Sequence, residues 1–187
     1  MLPNVRPKLS RAAPLEKLLL KLHTFLMNLP AAEPQHPLEA ARKLLKKGVA
    51  VPYCTPLPTE DTNWKVAFEK PDDITLVGSW PNKTSVKAKD GHKYGVDVAV
   101  QMPDVRLFQT LLLLMLICLQ SLFQEKDYLN ARFFQKKAFY LATLASAIPK
   151  SDLNVEVSYE SSFGDPRLTK LVLVPKSSEL QIYNAVA

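Results

Sequence analysis

The sequence predicts an α/β or α+β domain built around a mixed sheet, with helices before the strands and between them. Three observations lead there. Apolar residues recur at helical spacing over residues 15–29, 37–45 and 127–148. They alternate with polar ones over 64–68, 94–101 and 153–159. Proline or glycine bounds most of these runs. The chain has 187 residues, 47% hydrophobic and 22% charged, which suits one domain with a real core, or one domain plus a short appendage.

Residues 1–13 are basic and interrupted by proline, and no regular element is expected there. Pro14 suits the first turn of a helix that carries Leu15, Leu18, Leu19, Leu22, Phe25, Leu26 and Leu29 and ends at Pro30. A proline-bearing linker leads to a second helix from Pro37, with Leu38, Ala41, Leu44 and Leu45 on one face. Lys46-Lys47-Gly48 closes it, cations in the last turn and glycine just past it. Both apolar stripes read as packing surfaces.

Residues 51–58 are extended and proline-rich. Trp64, Val66 and Phe68 alternate as a half-buried strand would, Pro71-Asp72-Asp73 turns, and Ile74–Val77 is a second strand ending at Gly78-Ser79. A polar, lysine-rich stretch separates it from Tyr94–Gln101. There Val96, Val98 and Val100 share one face, and Asp97, Ala99 and Gln101 the other. A long helix is expected over Asp127–Ile148, halted by Pro149. A hairpin follows, from Leu153–Tyr159 through Phe163-Gly164-Asp165-Pro166 to Leu168–Val174.

Charge divides the chain in two. Residues 1–50 carry nine Lys/Arg against three Asp/Glu, whereas residues 51–187 carry fifteen of each. The first fifty residues therefore read as a basic helical arm on a neutral domain. Such an arm could lie along a phosphate backbone, and a solvated helix face is the plainer alternative. Fifteen prolines against five glycines leave no Walker-type phosphate loop. Cys54, Cys118, His23, His36 and His92 lie at no zinc spacing and offer no disulfide framework, which points to a reducing intracellular compartment. No secretory signal is recognisable at the N-terminus.

Leu107–Leu119 is far more apolar than its surroundings. It is too short to span a bilayer, which takes about 20 residues. A buried core helix is the conventional reading. We read residues 105–120 instead as an insertion that translates a retained intron. Val105-Arg106 and Leu119-Gln120 can be encoded by the two ends of a spliceosomal intron, and a pyrimidine-rich tract between them would yield Leu, Phe and Ile.

One constellation carries chemistry. Val77-Gly78-Ser79-Trp80 followed by Asp97-Val98-Ala99 resembles the nucleotidyltransferases of the polymerase-beta type. These place Gly-Ser at a strand end and Asp-apolar-Asp/Glu on the next strand. Residues i and i+2 of a strand face the same side, so two carboxylates can hold two magnesium ions across an in-line phosphoryl transfer. Asp97 sits in a strand, where aspartate is disfavoured; it reads either as a relic of such a site or as a side chain satisfying a nearby backbone donor. Ala99 replaces the second carboxylate, and a methyl group cannot ligate a hard cation. Glu156 or Glu160 could supply only a distant acid. The expectation is a nucleotidyltransferase-like domain, not an enzyme, without metal or cofactor. An active magnesium-dependent nucleotidyltransferase acting on RNA is the alternative.

With its flanks the resemblance becomes specific. Residues 72–80, 96–103 and 122–130, Ala138-Phe139-Tyr140-Leu141-Ala142 and the hairpin from Ser161 to Leu173 are similar to the Nrap family of nucleolar RNA-associated proteins, of the U3 small nucleolar RNA-associated protein 22 type. The resemblance implies a degenerate site at Gly78, Ser79, Asp97 and Ala99. It also implies a scaffold role in the small-subunit processome that matures 18S rRNA, in the nucleolus, beside pre-rRNA and the U3 small nucleolar ribonucleoprotein. A ribosomal RNA-processing protein 7 type partner and casein kinase 2 would accompany it, and no membrane is expected. Lys83, Lys87, Lys89 and Lys93 are candidate RNA contacts, with a solvated loop as the alternative. Family members are much longer, so an N-terminal fragment is expected, residues 51–187 forming a domain incomplete at its C-terminus.

Overall fold

The computed structural model describes residues 12–85, 94–103, 125–128, 131–176 and 183–186. Two layers organise them, a five-stranded mixed sheet and helices gathered on one of its faces. Helix α1 (Ala13–Met27) begins with proline in its first turn and buries Leu15, Leu18, Leu22 and Leu26, the stripe its spacing predicts. Helix α2 (Pro37–Leu45) starts where His36 Nδ1 accepts the Leu38 amide at 3.3 Å. It stops at Gly48, whose φ of +81° lets the chain turn back so that the Val49 amide reaches the Leu44 carbonyl at 3.0 Å.

Strand β1 (Ala32–Gln35) lies in what the sequence presents as a linker. It exists because β2 (Val66–Phe68) pairs with it antiparallel, Ala32 against Phe68 and Gln35 against Val66. No local signal in Ala-Glu-Pro-Gln announces that pairing. The larger sheet contains β3 (Asp73–Val77), β4 (Tyr94–Gln101), β5 (Val155–Ser161), β6 (Thr169–Pro175) and β7 (Tyr183–Val186), in the order β3-β4-β7-β6-β5. Strand β7 runs parallel to β4, and the other neighbours are antiparallel, so the sheet is mixed as expected. The tail that supplies β7 gave no strand signal in the sequence reading. Its place between β4 and β6 is a long-range choice.

The long helix expected over 127–148 is divided. Helix α3 (Glu125–Tyr128) is a single turn, and α4 (Arg132–Ala147) is the long element, followed by a 3-10 turn at Ile148–Lys150. The two are tied by Lys136 Nζ on Asp127 Oδ2 at 2.5 Å, a pair that is almost wholly buried. Gln135, also buried, donates to the carbonyls of Cys54 and Pro56 and fixes the extended proline-rich segment against α4.

The core is shared. Leu18, Leu22 and Leu26 of α1 and Ala40 and Leu44 of α2 join Val66, Phe68, Phe139, Tyr140, Leu144, Leu171 and Leu173 in one cluster. Phe68 and Tyr140 meet with ring centroids 4.7 Å apart. The first two helices, expected as an arm, are thus packed into the same core as the sheet, α2 through Ala40 and Leu44, whereas Leu45 of its expected face is exposed. A smaller cluster sets α1 on β4, where Leu15 meets Val96 and both are flanked by Leu19 and Trp80. The insertion assigned to residues 105–120 lies outside the described residues.

Candidate functional site: the turn after β3 and the outer face of β4

Strands β3 and β4 pair without irregularity, from Asp73 opposite Gln101 to Val77 opposite Asp97. Residues directly opposite in an antiparallel pair share a face. Val96 and Val98 are buried toward the helices, whereas Asp97, Ala99 and Gln101 are exposed on the outer face, as the alternation predicts. At Gly78 the chain leaves the sheet with φ +79°. A Cβ built there would lie 2.7 Å from Asp97 Oδ2. The Asp97 carboxylate therefore rests against bare backbone, and only glycine allows both the turn and the contact. Gly78 and Asp97, nineteen positions apart in the sequence, are brought together by the pairing of β3 with β4.

The turn is closed by its own bonds. The Thr84 amide donates to the Ser79 carbonyl at 3.0 Å, the Lys83 amide to the Trp80 carbonyl at 3.1 Å, and Ser85 Oγ to Ser79 Oγ at 3.2 Å. Trp80, packed against the Leu15–Val96 cluster, anchors the turn on α1. Trp80 belongs to the Val77–Trp80 motif, but nothing in the local sequence announces this anchoring role. Lys83 is exposed at the end of the turn, with φ +56°. Lys87, Lys89 and Lys93 lie outside the described residues.

Ala99 stands two residues from Asp97 on the same outer face, opposite Thr75. Its methyl group occupies the place where a metal-sharing carboxylate would be needed. Glu156 and Glu160 are exposed on the same face, because the register runs from Asp97 through Val186 and Val172 to Ser158, which lies between them. They are nevertheless three strands away, about 14 Å at ordinary strand spacing. Asp73 is committed to the Ile74 amide and the Thr75 hydroxyl, each at 2.8 Å. Among the described residues no group of three or more His, Cys, Asp or Glu side chains could hold a metal ion. The described residues do not fit a two-magnesium clamp.

The hairpin joining β5 and β6 ends in a shaped tip. Phe163 is fully exposed with φ +54°, Gly164 follows at +72°, and Arg167 forks onto Asp165 with contacts of 2.8–3.1 Å. Hydrogen bonds from Arg167 hold the Asp165 carboxyl below the usual carboxylate range. Behind it, Lys137 Nζ donates to the Arg167 carbonyl at 3.3 Å, and burial lowers the Lys137 ammonium. Cys54 is buried, and its thiol is pushed up by that burial.

A second feature was invisible in the sequence. The C-terminal ends of α1, α2 and α4 meet around a cavity of about 290 Å³ lined by Phe25, Leu29, Leu44, Lys47, Ser146 and Lys150, among others. In the sequence Lys46-Lys47 is a helix stop signal, and nothing local connects it with Lys150.

No described helix is long and apolar enough to cross a membrane. The family model for Nrap protein domain 1 matches residues 34–110 and 114–185, its break falling inside the apolar Leu107–Leu119 run. U3 small nucleolar RNA-associated protein 22 of Saccharomyces cerevisiae is 29% identical over 98% of the chain, which spans 14% of that protein. The protein of the same name in Schizosaccharomyces pombe is 32% identical over 70% of the chain, covering 10% of its own length. Nucleolar protein 6 of Mus musculus is 31% identical over 60% of the chain and 8% of its own length. These relatives are nucleolar by name, and this chain is assigned to the nucleus and nucleolus with them. Matched by that domain model over most of its residues, the chain belongs to the Nrap family.

Proposed function

We propose that this domain is a non-catalytic, nucleotidyltransferase-like scaffold that acts in ribosome biogenesis as an RNA-associated component of the small-subunit processome. Its work there is pre-rRNA processing and 18S rRNA maturation. The observation that carries the non-catalytic part is the outer face of β4. Asp97 is seated against Gly78, yet Ala99 supplies no second ligand, and Glu156 and Glu160 stand three strands off. The named association of two relatives with U3 small nucleolar RNA supports the ribosomal part. The proposed setting includes pre-rRNA and the U3 ribonucleoprotein, with a ribosomal RNA-processing protein 7 type partner and casein kinase 2 as associated factors.

Two measurements test this reading. Tagged chain expressed in cells should co-sediment with U3-containing particles, and its absence from them would remove the ribosomal role. Purified chain given labelled nucleotide, RNA and Mg²⁺ should incorporate nothing above background. Incorporation that Asp97→Ala abolishes would make the domain an enzyme.

A further inference from the structure

We propose that the cavity where α1, α2 and α4 end binds single-stranded RNA, taking one unstacked base into the slot and the flanking phosphates on Lys47 and Lys150. The inference deepens the RNA-associated reading and rests on it. The slot has an apolar floor, with Leu44 buried and Phe25 and Leu29 half-buried, so the last two keep surface open to a ligand. Its volume of about 290 Å³ falls at the lower end of the range for small-molecule pockets, which suits a nucleobase better than a larger group. Lys47 and Lys150 both line it, and both are exposed.

Their charge is available. Arg42 lies 4.0 Å from Glu60, and Lys43 donates to Gln35 at 2.7 Å. Among the described residues, Lys46, Lys47 and Lys150 have no acidic partner. Cations in last turns offset helix dipoles, and that is a sufficient reason for Lys46 alone. A helix end carries only about half a negative charge, however. Three exposed lysines stand over the adjoining ends of α2 and α4, against one exposed acid nearby in the chain, Asp152. Single strands are held by a cationic groove together with platforms on which bases stack. A duplex keeps its bases stacked and paired, offers no free base face, and would leave the apolar floor uncovered.

The test is anisotropy of the full chain with short fluorescent oligouridine, across a salt series. K47E/K150E should weaken binding at least about tenfold and flatten the log–log salt slope by about 1.4, the value for two phosphates on a single strand. Ala147 also lines the slot, and Ala147→Leu, which narrows it without changing charge, should weaken the single strand while leaving a duplex of the same length unaffected. Circular dichroism establishes that both variants are folded. Unchanged affinity in a folded K47E/K150E variant would overturn the proposal, as would a duplex binding equally well, or polyglutamate competing as effectively as RNA. Co-sedimentation with U3-containing particles separates the two readings. If the parent chain is absent from the particles, the functional reading falls. If it is present and K47E/K150E leaves RNA affinity intact, the slot alone falls.

Discussion

On the outer face of the sheet Asp73, Asp97, Glu156 and Glu160 are exposed, and Lys170, 3.7 Å from Glu160, is the one cation among the described strand residues of that face. At the ends of the helices Lys47 and Lys150 are exposed around an apolar slot, with Lys46 exposed beside Lys47 in the chain. The contrast is instructive because the sequence divides charge differently, with a basic first fifty residues and a neutral remainder. Folding sorts the neutral remainder again. It leaves carboxylates on the open sheet face and brings Lys150 to the end where the basic helix α2 stops. A polyanion is repelled by the first region and attracted by the second, so the open sheet face is the poorer place to seek RNA.

The largest expected effect attacks what the two regions share. Leu171 is fully buried on the helix-facing side of β6. Leu171→Ala should cost about 2–5 kcal/mol of stability in urea unfolding and loosen both regions together. A variant that lost RNA affinity but kept its unfolding midpoint would show that the regions are not faces of one cooperative core.

A smaller loss is expected at the sheet face alone. Gly78→Ala forces a side chain into positive φ and toward Asp97 Oδ2, and should cost about 2 kcal/mol in the same assay. Adding Asp97→Ala should return the part due to the contact and leave the part due to φ. No recovery in the double variant would mean that the contact carries no energy.

RNA affinity itself should barely register the acidic face. Asp97→Asn should change oligouridine binding by less than about twofold at physiological salt, where a Debye length of about 8 Å screens distant charges. A larger gain would bring the outer face into the RNA path and erase the contrast.

The smallest effect lies at the hairpin tip. The folded Asp165 carboxyl titrates below its ordinary value, so its contribution is present above the ordinary carboxyl range and is lost as pH falls through the folded value. Asp165→Asn should therefore slightly flatten the acid limb of thermal stability below pH about 4 and leave neutral pH little changed. An unaltered acid limb would mean that the exposed Arg167 fork contributes nothing.

Much of the fold was legible wherever a local pattern matched the burial that tertiary packing later supplied. Leu15, Leu18, Leu22 and Leu26 are such a case, and so is β4, whose limits agree at Tyr94 and Gln101. The break between α3 and α4 was not legible, since neither proline nor glycine stands between them to mark it. Within the site, Gly78, Ser79, Asp97 and Ala99 were found by motif. Trp80's hold on α1 and the pairing of Lys47 with Lys150 around one slot were not. Each depends on contacts between residues dozens of positions apart.

The sequence by itself determined the periodicities, the helix stop at Gly48, the placing of Asp97 and Ala99 on one side of their strand, and the family resemblance. All of these are properties of short segments. Only the tertiary structure decided that Gly78 meets Asp97, that β7 enters between β4 and β6, that α1 and α2 join the common core, and that three helix ends border one open slot. The reason is physical. Backbone geometry fixes which way neighbouring side chains point, whereas burial of apolar area chooses which distant surfaces meet.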